Sequence, residues 1–498
     1  MNWEFWLPLL VLASSLVTAL INFGLGEERH ILRNTLNLTG ATVKLVLVAI
    51  IFWGEFHGRL YEARWEFLPG LDLALRVDPL ALLFVTLSAI LWLVTTIYAI
   101  GYLEEAPNRR RFFGFFSLCV TATMGVALAG NLITFLFFYE LLTIATYPLV
   151  IHRGTEEALR AGRTYLLYTV GGGALLLTGI VWLHGISGPV EFVSGGVLGE
   201  VAEDYRYQLI AIFAVMIAGL GVKAAIVPFH GWLPRAMVAP APVSALLHAV
   251  AVVKAGAFGI VRIIYDVYGL GFSASLGVLQ PLSVLAAVTI IYGSVKALSQ
   301  DDLKRRLAYS TISQLSYIVL GTTLFGPLGT VGGLVHLMHQ GFMKITLFFC
   351  AGNLAETLGI HHIHEMNGVG RRMPLTMAAF TVAAFGMIGI PPVAGFISKW
   401  YLGLGAIESG QQWVIPVLIV SSLLNSAYFL PILFRAWFRE PDGEWTELQP
   451  RGRLEVGWML LAPPVTTALL ALAAGLFAGW GYSPLGLAEE IVQDLYAQ

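Results

Sequence analysis

Ionisable side chains lie inside several long apolar runs of this sequence. A charge at the centre of a bilayer costs at least about 2.5 kcal/mol, so each such side chain is a candidate for function. Lysine and histidine can lose their protons when they are desolvated, whereas arginine keeps its proton. The arginines lie outside the runs, and none is predicted to be buried. The pattern predicts a proton relay, whose candidates are Glu140, Lys223, His248, Lys254, His336, His339, Lys344 and Lys399.

Prolines lie close to two of these lysines. Pro228 follows Lys223 by five residues, and Pro391 and Pro392 precede Lys399. Proline removes a backbone donor and frees a carbonyl, so each site predicts a broken helix that admits water. Paired broken helices are typical of transport sites. The alternative is that Pro228 only ends a helix and that both lysines extend towards the interface.

Helical spacing groups the remaining basic candidates. His336, His339 and Lys344 fall within about a 140° arc of one helix, so they can line one wall. His248 and Lys254 are six residues apart, which places them on separate faces unless their helix is broken. For His248 and His339, the alternative is a hydrogen-bonded packing histidine without further function.

Glu140 is the one acid predicted deep within an apolar run. A carboxylate beside a lysine favours the charged lysine, whereas burial opposes it, so Glu140 could control the protonation of Lys223 or Lys254. The alternative is a neutral glutamic acid that only makes a hydrogen bond between helices.

Three other groups of residues receive less specific interpretations. Lys44 lies mid-run with no acidic partner in view, which favours a contact with lipid or with a partner subunit. Three histidines resemble a metal-binding tract, but Glu365 is their only evident companion, so no metal site is predicted. Those histidines are His361, His362 and His364. Asp78 before Pro79 predicts the start of a helix.

The composition excludes several classes of protein. Of the 498 residues, 57% are hydrophobic and 12% charged, with a mean hydropathy of +0.76, which no soluble surface has. A net charge of -2 excludes a nucleic-acid binder. Cys119 and Cys350 lie in apolar runs and cannot form a thiolate metal or iron-sulfur site. Gly171 to Gly173 lack a following Lys-Ser/Thr, so they indicate helix packing rather than phosphate binding. No cofactor and no catalytic site are predicted.

The apolar runs predict an all-α polytopic membrane protein, residues 1–498, with about fourteen transmembrane helices and two broken helices. The predicted spans are 5–25, 34–54, 79–101, 112–129, 131–151, 164–184, 208–227, 241–261, 274–295, 307–324, 328–351, 375–400, 411–434 and 456–481.

The positive charges predict an orientation for these spans. Nineteen of the 29 lysines and arginines fall in odd-numbered loops and five in even-numbered loops, while five lysines lie within spans. Cytoplasmic loops carry the excess of positive charge. The protein is therefore predicted in the cell membrane with both termini on the extracytoplasmic side.

From about Asp78 to Lys399, the sequence resembles the antiporter-like membrane subunits shared by Mrp-type sodium/proton antiporters, respiratory complex I and membrane-bound hydrogenases. The motifs that carry the resemblance are RVDPL at 76–80, FYELLTIATYPL at 138–149, GVKAAIVPFHGWLP at 221–234, APVSALLHAVAVVKAG at 241–256, DDLKRRLAYSTISQLSY at 301–317, HLMHQGFMKITLFFCAG at 336–352 and GIPPVAGFISKW at 389–400.

The resemblance implies two inverted five-helix repeats. Spans 1–3 would occupy residues 1–110, the repeats 111–266 and 267–438, and span 14 residues 439–498. It also implies that Glu140 and Lys223 form a gating pair and that Lys399 is the terminal lysine. His248 and Lys254 would form the connection to a central axis, which comprises His336, His339 and Lys344.

The resemblance also bears on which relative fits best. Arg235 and Met237 stand where many complex I members carry aspartate and histidine, which puts the contacts of that loop in doubt. Lys399 resembles the D component of Mrp antiporters and the distal membrane component of complex I, but the sequence ends after span 14 without the lateral helix of the latter. The prediction is a proton-translocating subunit of a multi-subunit monovalent cation/proton antiporter.

The predicted partners are other membrane subunits, protons, lipid and, as a further candidate ion, sodium. The alternative is the same module in a redox-driven pump, either a complex I-like NADH:quinone oxidoreductase or a membrane-bound hydrogenase. The sequence lacks the motifs expected of an oxidoreductase with its own quinone site. A purely structural scaffold does not explain five buried lysines.

Overall fold

Long apolar helices form most of the fold. The computed structural model describes residues 3–104, 106–199, 202–443, 445, 448 and 455–496. The first three helices precede the candidate relay, and the next seven carry its first half. They are α1 (Trp3–Gly24), α2 (His30–Glu55), α3 (Pro79–Tyr102), α4 (Arg109–Leu128), α5 (Leu132–Val150), α6 (Glu156–Ser187), α7 (Ala202–Lys223), α8 (Trp232–Arg235), α9 (Ala241–Ala249) and α10 (Val252–Arg262).

The second half of the chain follows with helices of similar composition. They are α11 (Leu270–Leu276), α12 (Leu279–Leu298), α13 (Leu303–Thr323), α14 (Pro327–Leu358), α15 (Val369–Arg372), α16 (Pro374–Ile388), α17 (Ala394–Glu408), α18 (Val414–Phe438), α19 (Trp458–Leu476) and α20 (Pro484–Tyr496). Within the described residues, twelve helical segments are long and apolar enough to span a membrane. The prediction of a helical, multi-pass membrane protein is therefore confirmed.

Two predicted spans fall outside these twelve for different reasons. α13 has 21 residues, but its serines, threonines and glutamine make its mean hydropathy lower than that of the twelve, although it is almost entirely buried. α16 and α17 have 15 residues each and are separated by the predicted break at Pro391 and Pro392. Counted as one span each, these two segments bring the total to the predicted fourteen.

Helix breaks occur at three places along the candidate relay. The predicted break after Lys223 is present, because α7 ends there and Pro228 lies in the irregular segment that follows. A third break, which was not predicted, separates α9 from α10 at Val250 and Ala251. Ala251 has φ −102° and ψ −97°, so its backbone leaves the helical region. No proline lies at this point, which is why the sequence did not reveal it.

α14 is the central helix of the bundle. Its apolar stretch is buried throughout, and it packs against α9, α13, α16, α17 and α19. Because α14 carries His336, His339 and Lys344, all three side chains are fully buried inside the protein. The fold therefore places the predicted wall of titratable groups at its centre.

A β-hairpin occupies part of the predicted loop between α2 and α3. Its strands, Glu62–Leu68 and Leu71–Arg76, pair antiparallel. The backbone of Ala74 bonds to Thr134 Oγ1 at 2.8 Å, and Arg64 pairs with Glu191 at 2.7 Å. The hairpin thus ties the start of α5 to the loop that follows α6, and it is the one β-sheet in the described chain.

Two expectations about charge are wrong. Four arginines are buried, although no buried arginine was predicted: Arg33, Arg262, Arg306 and Arg372. Asp266 and Glu455 are buried acids, whereas Glu140 is only partly buried. Arg262 lies inside α10 and not in a loop; its Nη1 is 2.8 Å from Asp78 and 2.6 Å from Asp266. Asp78 also accepts the Ala81 N–H at 2.7 Å, which confirms it as the start of α3.

Candidate functional site

Lys223 and Glu140 are neighbours at the end of α7. The ammonium of Lys223 donates to the carbonyl of Tyr139 and lies 3.3 Å from the centre of that residue's ring. Glu140 is the next residue on α5, and its carboxylate faces Gly173 of α6. Lys223 is fully buried, so it does not extend to the interface. The two candidates of the first half therefore lie on adjoining helices, where Lys223 bonds to the backbone of the residue before Glu140.

The break in α9–α10 decides how His248 and Lys254 are oriented. Both side chains are fully buried, and each helix segment presents one of them to α14. The His248 ring packs against Phe348 of α14 at 4.4 Å, and Lys254 Nζ donates to the Leu337 carbonyl of α14 at 2.6 Å. Six residues apart on an unbroken helix, the two would face apart. The break lets both reach the central helix.

Gly256, two residues after Lys254, lies against the backbone of Lys223. A Cβ at this position would lie 2.7 Å from the carbonyl carbon of Lys223, a distance that real Cβ atoms do not show. The absence of a side chain lets α10 approach the broken end of α7 closely. As a result, Lys254 lies within about one helical turn of the point where α10 contacts Lys223.

The central helix connects this region to the second half. The Leu337 carbonyl that binds Lys254 lies between His336 and His339 in sequence. His336 Nδ1 is 2.8 Å from Ser398 Oγ, the residue before Lys399. His339 is buried and neither ring nitrogen has a hydrogen-bond partner among the described protein groups.

Lys344 branches from the same helix towards α13. Its Nζ donates to the Leu307 carbonyl at 3.2 Å, and Lys344 is fully buried. Phe348, one turn further along α14, is the residue that contacts the ring of His248. Lys344 and Phe348 lie on the same face of α14, so the His248 ring that contacts Phe348 lies near Lys344.

Lys399 binds the carbonyls that the two prolines release. Its Nζ donates to the carbonyl of Met387 at 3.0 Å and to that of Ile388 at 2.8 Å. These residues stand four positions before Pro391 and Pro392, whose missing N–H groups would otherwise have bonded them. Lys399 points into the helix break and does not extend outward. The carbonyls that the prolines were predicted to free are the ones that accept its hydrogen bonds.

Several polar side chains near these groups were not predicted from the sequence. Tyr139 holds Lys223, while Tyr317 lies 5.2 Å from His336 and 5.4 Å from Lys399, ring centre to group. Ser422 Oγ accepts from Lys399 at 3.0 Å. Tyr317 belongs to the polar run of α13, and that unusual polarity within a span is the signal that could have identified it.

Buried polar atoms without a protein partner follow the same route. They include Glu140 Oε1, both ring nitrogens of His248 and of His339, and the amide groups of Gln314 and Gln340. A buried polar atom that lacks a hydrogen bond is costly, and ordered water is what commonly satisfies such atoms. For His248, the interpretation as a hydrogen-bonded packing residue is not supported by these contacts.

Lys44 differs from its sequence interpretation. It is fully buried, donates to Ser15 Oγ of α1 at 2.6 Å and lies 4.7 Å from the centre of the Trp92 ring of α3. A contact with lipid or with a partner subunit is therefore wrong. The side chain packs inside the N-terminal helices, away from the residues described above.

Comparisons with known proteins identify the family of this chain. The family model described as NADH:quinone oxidoreductase/Mrp antiporter, TM, matches residues 129–425, which is more than half of the chain. A second model, described as the N-terminus of chain 5 of NADH-ubiquinone oxidoreductase (complex I), matches residues 69–113. The first match contains every candidate of the relay from Glu140 to Lys399.

Individual relatives come from more than one kind of complex. The N component of the NADH-quinone oxidoreductase of Desulforudis audaxviator is 35% identical over 429 residues, which cover 84% of each protein. The D component of the Na(+)/H(+) antiporter of Bacillus subtilis is 29% identical over 444 residues, 89% of this chain and 87% of the relative.

Solved structures show the same fold. A chain of the Mrp complex from Dietzia sp. superposes with a TM-score of 0.88 at 25% identity, covering 100% of this chain and 98% of the other. A chain of respiratory complex I from Thermus thermophilus gives 0.81 at 23% identity, with 98% and 99% covered. This chain belongs to the family of membrane subunits found in NADH:quinone oxidoreductases and Mrp antiporters.

Proposed function

We propose that this chain translocates protons as one subunit of a multi-subunit monovalent cation/proton antiporter, in the manner of the D component of Mrp antiporters. The supporting observation is how the relay lysines are held. Lys223, Lys254, Lys344 and Lys399 each donate to a backbone carbonyl, and none of the described carboxylates forms an ion pair with them. A carbonyl dipole stabilises an ammonium less than a full negative charge does, so these lysines can exchange protons.

The proposed route begins at Glu140 and Lys223 in the first half of the chain. Glu140 lies beside Lys223, and the close approach at Gly256 leads to Lys254. Lys254 donates to the Leu337 carbonyl, which lies on the central helix between His336 and His339. The unpartnered polar atoms along this path are sites at which water can carry protons between side chains that do not touch.

The second half of the route ends at Lys399. His336 contacts Ser398, and Tyr317 lies between His336 and Lys399. Lys399 occupies the helix break, where released carbonyls and a partly exposed position allow exchange with water. The other membrane subunits of such a complex would be the partners of this chain, and the cell membrane its location.

A second candidate function has a specific observation in its favour. The 35% identity with the N component of an NADH-quinone oxidoreductase suggests the same relay in a redox-driven pump. The residues of the relay serve both assemblies equally well, because the energy source lies in other subunits. Lys399 resembles both the D component of the antiporters and the distal membrane component of complex I, so this lysine does not separate the two assemblies.

Two substitutions test the relay itself. Lys223→Ala and Glu140→Ala are expected to abolish ion-coupled proton flux in membrane vesicles while the complex still assembles. Lys296→Ala is the matched control, because Lys296 is an exposed lysine at the end of α12. Normal flux in either assembled relay variant would refute the proposal.

The choice between the two assemblies requires a different measurement. A mild-detergent purification from native membranes would identify every co-purifying subunit and measure iron. Hydrophobic subunits without iron indicate a cation/proton antiporter. Iron-sulfur subunits would instead place this chain in the membrane arm of a redox-driven pump.

A further inference from the structure

Three ionisable side chains converge outside the relay, where the α12–α13 connection meets the segment that follows α14. His364 Nδ1 lies 2.5 Å from Asp301 Oδ2, and His362 Nδ1 lies 3.4 Å from the same oxygen. The two imidazole rings are stacked, with centres 5.5 Å apart and planes 23° apart. One potential ligand atom from each of the three residues lies within 4.8 Å of the other two.

We propose that Asp301, His362 and His364 bind a divalent transition-metal ion such as Zn²⁺. Two imidazoles and a carboxylate are ligands that Zn²⁺ accepts, and three protein ligands leave a fourth position for water. The sequence did not predict a metal here because Asp301 is about sixty residues away from the histidines. Folding supplies the third ligand that the tract lacks on its own.

The backbone holds the two segments in register. Ile363 N–H donates to the Asp301 carbonyl at 2.9 Å, and Leu303 N–H donates to the His361 carbonyl at 3.0 Å. Glu365 is not needed as a ligand, since one of its oxygens accepts the His361 and His362 N–H groups at 2.9 Å each. These bonds fix the backbone positions of the three ligands before any ion binds.

Two of the three ligand separations can be compared with those of a tetrahedral ion, and the third, between the two imidazole nitrogens, is within 4.8 Å. Bonds of about 2.0–2.1 Å place neighbouring ligand atoms about 3.3 Å apart. The separation between His362 and Asp301 already fits, and the His364–Asp301 pair must open by about 0.8 Å. The side chains are 46% to 63% exposed, so small rotations can provide that opening and an ion can enter from solvent.

An ion at this position would join the start of α13 to the end of α14. These two helices carry the Leu307 carbonyl and Lys344, which bond to each other deeper in the protein. The inference concerns binding only and does not depend on the transport activity of the chain.

The test is a Zn²⁺ titration of the purified complex against a chromogenic chelator, followed by metal analysis after dialysis. One tightly bound Zn²⁺ per copy of this chain is expected. Asp301→Asn and the double variant His362→Gln/His364→Gln are expected to weaken that binding tenfold or more. His184→Gln is the matched control, because His184 is an exposed histidine at the end of α6 outside the cluster.

A second readout separates a lost ligand from a damaged fold. Zn²⁺ should raise the thermal unfolding midpoint of the wild type, because an ion that binds only the folded state stabilises it. It should not raise the midpoint of the double variant, whose midpoint without metal should match the wild type. Equal Zn²⁺ affinity in the wild type and the double variant, or no retained Zn²⁺ in the wild type, would overturn the proposal.

Discussion

Gly173→Ala tests whether the position of the Glu140 carboxylate controls proton entry. A Cβ at residue 173 would lie 2.6 Å from Cδ of Glu140 and 3.0 Å from its Oε2. Carbon atoms in contact prefer separations of about 3.5–4.0 Å, so the carboxylate must move by about 1 Å. A displacement of that size in a reacting group can slow a reaction about 100-fold. We expect proton flux to fall between about tenfold and 100-fold.

The matched control lies two residues earlier on the same helix. Gly171 is exposed, and a Cβ at that position would have nothing within 4 Å. Alanine is favoured over glycine inside a helix by about 1 kcal/mol, so neither variant is expected to weaken α6 through its backbone. Gly171→Ala should therefore transport normally.

The assay is ion-dependent proton flux in membrane vesicles, normalised to the amount of assembled complex. If Gly173→Ala transports as well as Gly171→Ala at equal amounts of complex, the position of the Glu140 carboxylate is not what controls entry.

Two further predictions concern buried groups outside the relay. Arg262→Gln removes one partner from a buried ion cluster, which typically costs about 3–5 kcal/mol, so the unfolding midpoint in detergent should fall markedly. Arg160→Gln breaks an exposed pair of the same i,i+4 spacing and should leave the midpoint almost unchanged; equal effects would contradict the reasoning. Cys119→Ser and Cys350→Ser should be nearly silent in flux, because a hydroxyl can replace the bonds of each thiol to Thr146 or to the Thr376 carbonyl. Loss of flux in a stably inserted double cysteine variant would show that a thiol is needed.

The sequence predicted those parts of the site that depend on local chemistry. The breaks near Lys223 and Lys399 followed from proline. The burial of the other relay candidates followed from their apolar surroundings, whereas Glu140 and Lys399 are only partly buried. Lys399 shows this most directly, because its acceptors are the carbonyls that Pro391 and Pro392 leave free. Contacts between residues far apart in sequence did not follow from local chemistry.

The contacts that the sequence did not predict join distant segments. Arg262 reaches Asp78 across 184 positions, and Lys44 finds Ser15 on the preceding helix. The break at Ala251 has no proline to mark it, so only the folded backbone reveals it. In each case the deciding partner or conformation is set by helix packing, which one-dimensional spacing does not encode.

The partners of the buried cations distinguish Arg262 from the lysines of the proposed relay. Arg262 keeps its proton and lies between two carboxylates, one of which also caps α3, so its charge is permanent and matched. Lys254 and Lys344 lie equally deep but rest on carbonyls of neighbouring helices. A full negative charge in that interior would hold either lysine in its charged form. Carbonyl acceptors leave both protonation states accessible, and a change of charge at the next group along α14 can then shift the balance between them.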